Sequence, residues 1–135
     1  MRVLLLGGSG FVGSALRIEL KSLGHQVIST SRSPKKGHVV FDSFNRNESI
    51  KFLKSTPIDI VINLSWITNG KNYLDSPENF LAFEWSREFY ALLRYTNIKK
   101  IIALGSSAEY GSCEVVANGE LTPKEGNSLY AHCKL

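Results

Sequence analysis

Tyr130 and Lys134 stand four positions apart near the end of the 135-residue chain, in Ser128-Leu-Tyr-Ala-His-Cys-Lys134. If Ser128 opens a helix, the two side chains lie one turn apart on the same face. An unperturbed tyrosine has a pKa of about 10, too high to exchange protons readily near neutrality. A lysine ammonium beside it stabilises the phenolate and lowers that value. The pair could then give a proton to a carbonyl oxygen or take one from an alcohol. A serine hydroxyl at a strand end, Ser106 or Ser107 in Gly105-Ser-Ser-Ala-Glu-Tyr-Gly111, could hold the same oxygen. A Tyr-x-x-x-Lys pair by itself is equally well a surface pair. It gains meaning from what stands at the other end of the chain.

There, Arg2-Val-Leu-Leu-Leu-Gly-Gly-Ser-Gly-Phe-Val-Gly13 is a short apolar run ended by glycines. The run reads as a buried strand. From Phe11 to Leu23 the pattern turns helical, with Val12, Leu16, Leu20 and Leu23 on one face and Gly24 closing the helix. The glycines therefore fall at a strand-to-helix turn, where exposed backbone N–H groups and the helix dipole favour an anion. Gly7 permits the turn, Gly10 lets a pyrophosphate approach the main chain, and Gly13 allows close packing. Gly7, Gly10, Phe11, Val12 and Gly13 are thus candidate cofactor-binding residues. Both Gly8-x-Gly10-x-x-Gly13 and Gly7-x-x-Gly10-x-x-Gly13 fit. The flanking strand and helix distinguish this from a merely conformational glycine turn.

The elements between must carry both ends to one place. Gln26–Thr30, His38–Asp42, Ile58–Leu64 and Lys100–Gly105 read as further strands. Asn45 with Glu48 opens a helix that stops before Pro57. Ser76-Pro77-Glu78 opens another that runs to about Thr96, with Leu81, Trp85, Phe89 and Leu92 as its buried stripe. Alternating apolar strands and helices predict an α/β fold with a doubly wound parallel sheet, the Rossmann arrangement, as one domain over residues 1–135. In that fold the ligand crevice lies at the carboxyl ends of the strands. Gly7–Gly13, Ser31-Arg32, Asp42, Leu64-Ser65 and Ser106-Ser107 all fall at such ends.

Composition narrows the partners. With 43% apolar and 21% charged residues the chain is an ordinary globular one. No apolar run reaches the ~20 residues of a membrane span. Two cysteines, Cys113 and Cys133, lack metal-ligand spacing, so no metal site and a reduced, cytoplasmic setting are expected. A net charge of +4 with only paired lysines argues against nucleic acid and suits an anionic small molecule.

Taken together, these motifs resemble the extended short-chain dehydrogenase/reductase family, in its branch of NAD(P)-dependent sugar-nucleotide epimerases, dehydratases and ketoreductases. The resemblance covers the whole chain. It implies Tyr130 as the acid/base, and Lys134 as the residue that tunes it and binds the nicotinamide ribose. It further implies Ser106, four residues before the Tyr110-Gly111 pair, as the catalytic hydroxyl. Asp42 would bind the adenine amino group, and Leu64 and Ser65 would line the cofactor. Three departures stand out. Ala82 or Phe83 occupies the place of a family asparagine. Ser107-Ala108 replaces the Asp-Glu pair of the dehydratases, and Trp66 replaces a small residue. Dehydration is disfavoured, Glu109 is given no role, and 4-ketoreduction is preferred over epimerisation. Family members continue into a C-terminal substrate-binding part, so the chain is expected to stop short of it and to be inactive alone. The parent enzyme would be a homodimer acting on a nucleotide-linked sugar. The rival reading is a nucleotide-sensing regulator of the same fold, which would need no tyrosine–lysine pair.

The residues after the second strand bear on which dinucleotide binds. NAD-selective enzymes place an acid there for the ribose hydroxyls. This chain has Ser31 and Arg32 instead, with no Asp or Glu between Glu19 and Asp42. Arg32 offers a two-pronged donor set to a 2′-phosphate, with Ser31, Ser33, Lys35 and Lys36 nearby. NADP is the expected cofactor, with NAD the alternative.

Overall fold

The computed structural model describes residues 1–42, 45–68, 70–111 and 121–135. The elements run β1 (Arg2–Leu6), α1 (Phe11–Ser22), β2 (Gln26–Ser31), β3 (Val39–Val40), α2 (Arg46–Ser55), β4 (Ile60–Asn63), α3 (Glu78–Leu93) and β5 (Lys100–Ala103). A 3-10 turn (Ser107–Tyr110) and α4 (Leu129–Lys134) follow. The five strands form one parallel sheet in the order β3-β2-β1-β4-β5. Helical crossovers from β1 to β2, β3 to β4 and β4 to β5 suit this parallel pairing, and the order matches the first five strands of the Rossmann arrangement. The chain divides into two compact units, residues 1–66 with 87–104, and residues 67–86 with 105–135.

The first unit holds the sheet. After exposed Arg2, β1 is buried from Val3 at 1% to Leu6 at 1% exposure, as a central strand covered on both faces must be. Val3, Leu5 and Ile62 form a core on one face, against which Leu16 and Leu20 of α1 pack. The other two residues of the expected α1 stripe differ: Val12 is 48% and Leu23 63% exposed. The first turn of α1 is held to the sheet by Gly13, its one buried residue, so Val12 points outward. At the edge of the sheet, where β4 is its one neighbour among the described strands, β5 is also exposed, with Ile101 and Ile102 each at 41%. Asn45 caps α2, its side chain accepting from the Glu48 N–H at 3.2 Å.

Along α3 the buried line is Asn79, Ala82, Ser86, Phe89 and Leu93, whereas Leu81 is 63% exposed. Phe89 of the expected stripe is buried, whereas Ala82, Ser86 and Leu93 take the buried places expected of Leu81, Trp85 and Leu92, one residue on. Ser76 caps this helix, accepting from the Glu78 N–H at 3.3 Å. No helix among the described residues is long and apolar enough to cross a membrane.

Candidate active site

In the first unit, the turn after β1 is shaped by contacts only glycine tolerates. Gly7 has φ +72°, and a Cβ there would stand 3.0 Å from the backbone of both Leu64 and Ser65. A Cβ at Gly13 would stand 2.6 Å from Gly8 Cα and closer still to the Gly7 carbonyl oxygen. A Cβ at Gly8 would collide with the Ser29 hydroxyl. Gly10 differs. Its surroundings are open apart from Gly7 O at 3.3 Å, and its N–H donates to that oxygen at 3.0 Å. Gly10 is the N-cap of α1, with no side-chain cap and no acid in the first turn. The positive end of a 12-residue helix therefore faces outward uncompensated, beside an open backbone. Those are the requirements of a pyrophosphate, so a dinucleotide fits the cradle.

Neighbouring strand ends are fixed by polar contacts. Leu64 follows β4 and donates its N–H to Leu6 O at 3.1 Å, placing it beside the glycine turn. Buried Asn63 accepts from the Ser65 N–H (3.0 Å) and hydroxyl (2.6 Å), and its amide donates to the Tyr90 hydroxyl at 2.8 Å. Asn63 is a positioning residue that the apolar strand pattern hid. Ser31, 7% exposed, ends β2, and exposed Arg32 follows it. Lys35 Nζ donates to Ser9 O at 3.1 Å, tying the loop after β2 to the glycine turn. Behind it Arg17 donates to Gly37 O at 3.2 Å, and His38 pairs with Ser29 at 2.9 Å. Burial, and then the charges of Arg17 and Lys35, hold His38 below its usual pKa. Asp42 is exposed just after buried Phe41.

The second unit carries the acid/base candidates. Ser128 caps α4, accepting from the Ala131 N–H at 3.2 Å, so Tyr130 and Lys134 do lie one turn apart on a helix. Tyr130 donates its N–H to Leu74 O at 2.7 Å, and its ring meets Tyr73 edge-on at 5.4 Å. Fully buried Asn79 holds that segment, donating to Tyr73 O (2.7 Å) and Ser76 O (3.0 Å). Asn79 went unread in the sequence, although an asparagine in a helix's first turn commonly bonds nearby backbone. Burial pushes the Lys134 ammonium down, with the Glu109 carboxylate acting in the opposite sense.

Ser106 is the N-cap of the 3-10 turn. Its hydroxyl accepts from the Ala108 N–H at 3.2 Å, and its own N–H donates to Glu109 Oε1 at 2.8 Å. Glu109, given no role above, is 6% exposed and takes Lys124 Nζ on its other oxygen at 3.0 Å. The Ser106-x-x-Glu109 spacing of a capping box was the available signal. Cys133 is a buried free thiol whose pKa burial raises. Cys113 lies outside the described residues. No metal-binding cluster occurs among the described residues.

Comparison with known proteins bears on the fold and the family. Epimerase family protein SDR39U1 of Mus musculus is 36% identical over 76 residues, 56% of this chain but 22% of the mouse protein. The UDP-Glc/GlcNAc 4-epimerase of Campylobacter jejuni superposes with a TM-score of 0.84 at 13% identity, covering 98% of this chain and 45% of that one. UDP-glucose 4-epimerase of Bifidobacterium longum, solved with NAD+ and UDP, gives 0.80 at 23% identity, covering 99% and 46%. The chain thus spans less than half of these enzymes, and at such identities the likeness is one of fold. The sequence profile of the NAD dependent epimerase/dehydratase family matches residues 3–135. With that profile running from β1 to the end of α4, the chain belongs to the NAD dependent epimerase/dehydratase family.

Proposed function

We propose that the chain is the cofactor-binding and acid/base part of an oxidoreductase acting on a nucleotide-linked sugar, with 4-ketoreduction its reaction. The observation that carries this reading is Tyr130 and Lys134 one turn apart on a capped helix, in a chain that also bears the glycine cradle. Gly7, Gly10, Phe11, Val12 and Gly13 would hold the pyrophosphate, Asp42 the adenine, and Leu64 and Ser65 the remainder of the cofactor. A nicotinamide bound there supplies the hydride acceptor or donor. Ser106 already accepts a hydrogen bond at its oxygen, which leaves its proton for a substrate oxygen. Tyr130 gives that oxygen a proton as a ketone becomes an alcohol, and Lys134 stabilises the phenolate left behind. Arg32, with Ser31, Ser33, Lys35 and Lys36, favours a 2′-phosphate, so NADP is the proposed cofactor. Epimerisation uses the same residues and is the second reading, favoured by the sugar-nucleotide 4-epimerases among the structural neighbours.

The substrate-binding part is proposed to lie outside these 135 residues, in a parent protein that functions as a homodimer. The test is to mix the 135-residue chain, and separately its full gene product, with NADPH and a panel of 4-keto sugar nucleotides. Cofactor oxidation by the full product alone, reduced by ~10²-fold in Tyr130→Phe, is the expected result. Turnover by Tyr130→Phe equal to the unaltered protein removes the tyrosine from the mechanism.

A further inference from the structure

We propose that Glu109 is a positioning residue for the chemistry at Ser106, Tyr130 and Lys134, setting the Ser106 peptide with one carboxylate oxygen and Lys124 with the other. The inference rests on the reading that these three residues carry the acid/base step. A glutamate that merely closes a capping box belongs at the surface, since glutamate is almost never buried unless paired. Glu109 is 6% exposed, and the chain makes room for it. A Cβ at position 105 would lie 2.7 Å from Glu109 Oε1, a space that Gly105 leaves empty.

Two consequences reach the reacting groups. First, Ser106 is gripped from both sides, its N–H by Glu109 at 2.8 Å and its oxygen by the Ala108 N–H at 3.2 Å. The hydroxyl oxygen is thereby fixed in place as an acceptor from the turn. Second, α4 packs against the 3-10 turn, and Glu109 is the carboxylate whose field acts on Lys134. Burial drives Lys134 toward the neutral amine, which could not stabilise a phenolate, and Glu109 opposes that. Burial would likewise raise Glu109, but the Ser106 N–H and Lys124 bonds outweigh it and keep the carboxyl below its usual range. Lys124 also lies 6.0 Å from the Tyr110 ring centroid. Of the other titratable groups on α4, Cys133 is kept a thiol by burial and His132 is exposed.

The roles of the two partners are opposite in sign, and this separates positioning from mere support. Glu109→Gln keeps an oxygen for the Ser106 N–H while removing the charge. Lys124→Met leaves the carboxylate with one cation fewer. The Lys134 titration is followed by NMR in isotope-labelled protein, its signal assigned by loss in Lys134→Arg. The midpoint should fall in Glu109→Gln and rise in Lys124→Met, and the pH profile of NADPH-dependent turnover by the full gene product should shift with it. An unchanged midpoint in Glu109→Gln, or movement in the same direction in both variants, overturns the proposal. Failure of the underlying reading has a different signature, undiminished turnover in Tyr130→Phe whatever Lys134 does.

Discussion

The glycines of the β1–α1 turn predict different outcomes on mutation, and Gly10 is the informative one. Gly13→Ala would place a methyl 2.6 Å from Gly8 Cα, against an ordinary contact of 3.4 Å or more. The Gly7 carbonyl oxygen would stand closer still, and all these neighbours are backbone, so α1 must retreat by more than roughly 0.8 Å, the difference 3.4 − 2.6, and overpacking of this kind costs ~1–3 kcal/mol. Gly10 has φ −77° and ψ −179°, which alanine adopts freely, and its methyl would meet only Gly7 O at 3.3 Å. Alanine is a poorer N-cap than glycine, but a stiffer unfolded chain returns about 0.4–1 kcal/mol, so stability should change by less than ~1 kcal/mol. In the proposed cofactor site the same methyl would stand where the pyrophosphate approaches the main chain. Losing one charge-assisted hydrogen bond of ~1.5–3 kcal/mol weakens binding roughly 10- to 100-fold. Urea denaturation and calorimetric titration with NADPH measure the two effects separately. Gly10→Ala should keep the stability and lose the affinity, whereas Gly13→Ala should lose both. Full affinity in Gly10→Ala refutes the assignment of this turn to the pyrophosphate.

Other perturbations follow the same logic. Ser29→Ala should partly rescue Gly8→Ala, because the obstruction is a side-chain hydroxyl, with a coupling of ~1 kcal/mol or more in a denaturation double-mutant cycle. Asn63→Ala strands the Ser65 N–H, the Ser65 hydroxyl and the Tyr90 hydroxyl, and should cost ~2–3 kcal/mol by the same assay. Glu109 binds its proton less tightly folded than unfolded, so its contribution is complete above the ordinary value of 4.5 and is lost as pH falls through the lower folded value. Acid denaturation of Glu109→Gln should therefore be less steep below that pH than in the unaltered protein. Arg32→Asp should reverse the order of NADPH and NADH in a titration at matched salt, and an unchanged order would place Arg32 outside the cofactor site.

The sheet was legible because its signals are local. Apolar runs of strand length, a glycine turn and two cap residues, Asn45 and Ser128, each act within a few residues. The helical faces read less well. Periodicity puts Leu81 inward, yet the buried line follows Ala82 and Ser86, because packing distance, which no single helix encodes, selects small residues. Buried polar residues were the least visible. Asn63 sits within a strand of apolar type, and Asn79 within a helix start that Ser76 and Pro77 explain without it. Glu109 could have been found from its spacing to Ser106, but its burial and its bond to Lys124, fifteen residues on, depend on tertiary structure.

The measurement that bears most directly on the account is a calorimetric titration of the unaltered protein with NADPH and with NADH at one salt concentration. Saturable binding of a dinucleotide follows from the open, uncapped start of α1 beside Gly10, and tighter binding of NADPH follows from Ser31-Arg32 at the end of β2. Binding of neither cofactor would contradict the proposed function itself. Tighter binding of NADH would leave the cradle standing and overturn the assignment of Arg32 to a 2′-phosphate.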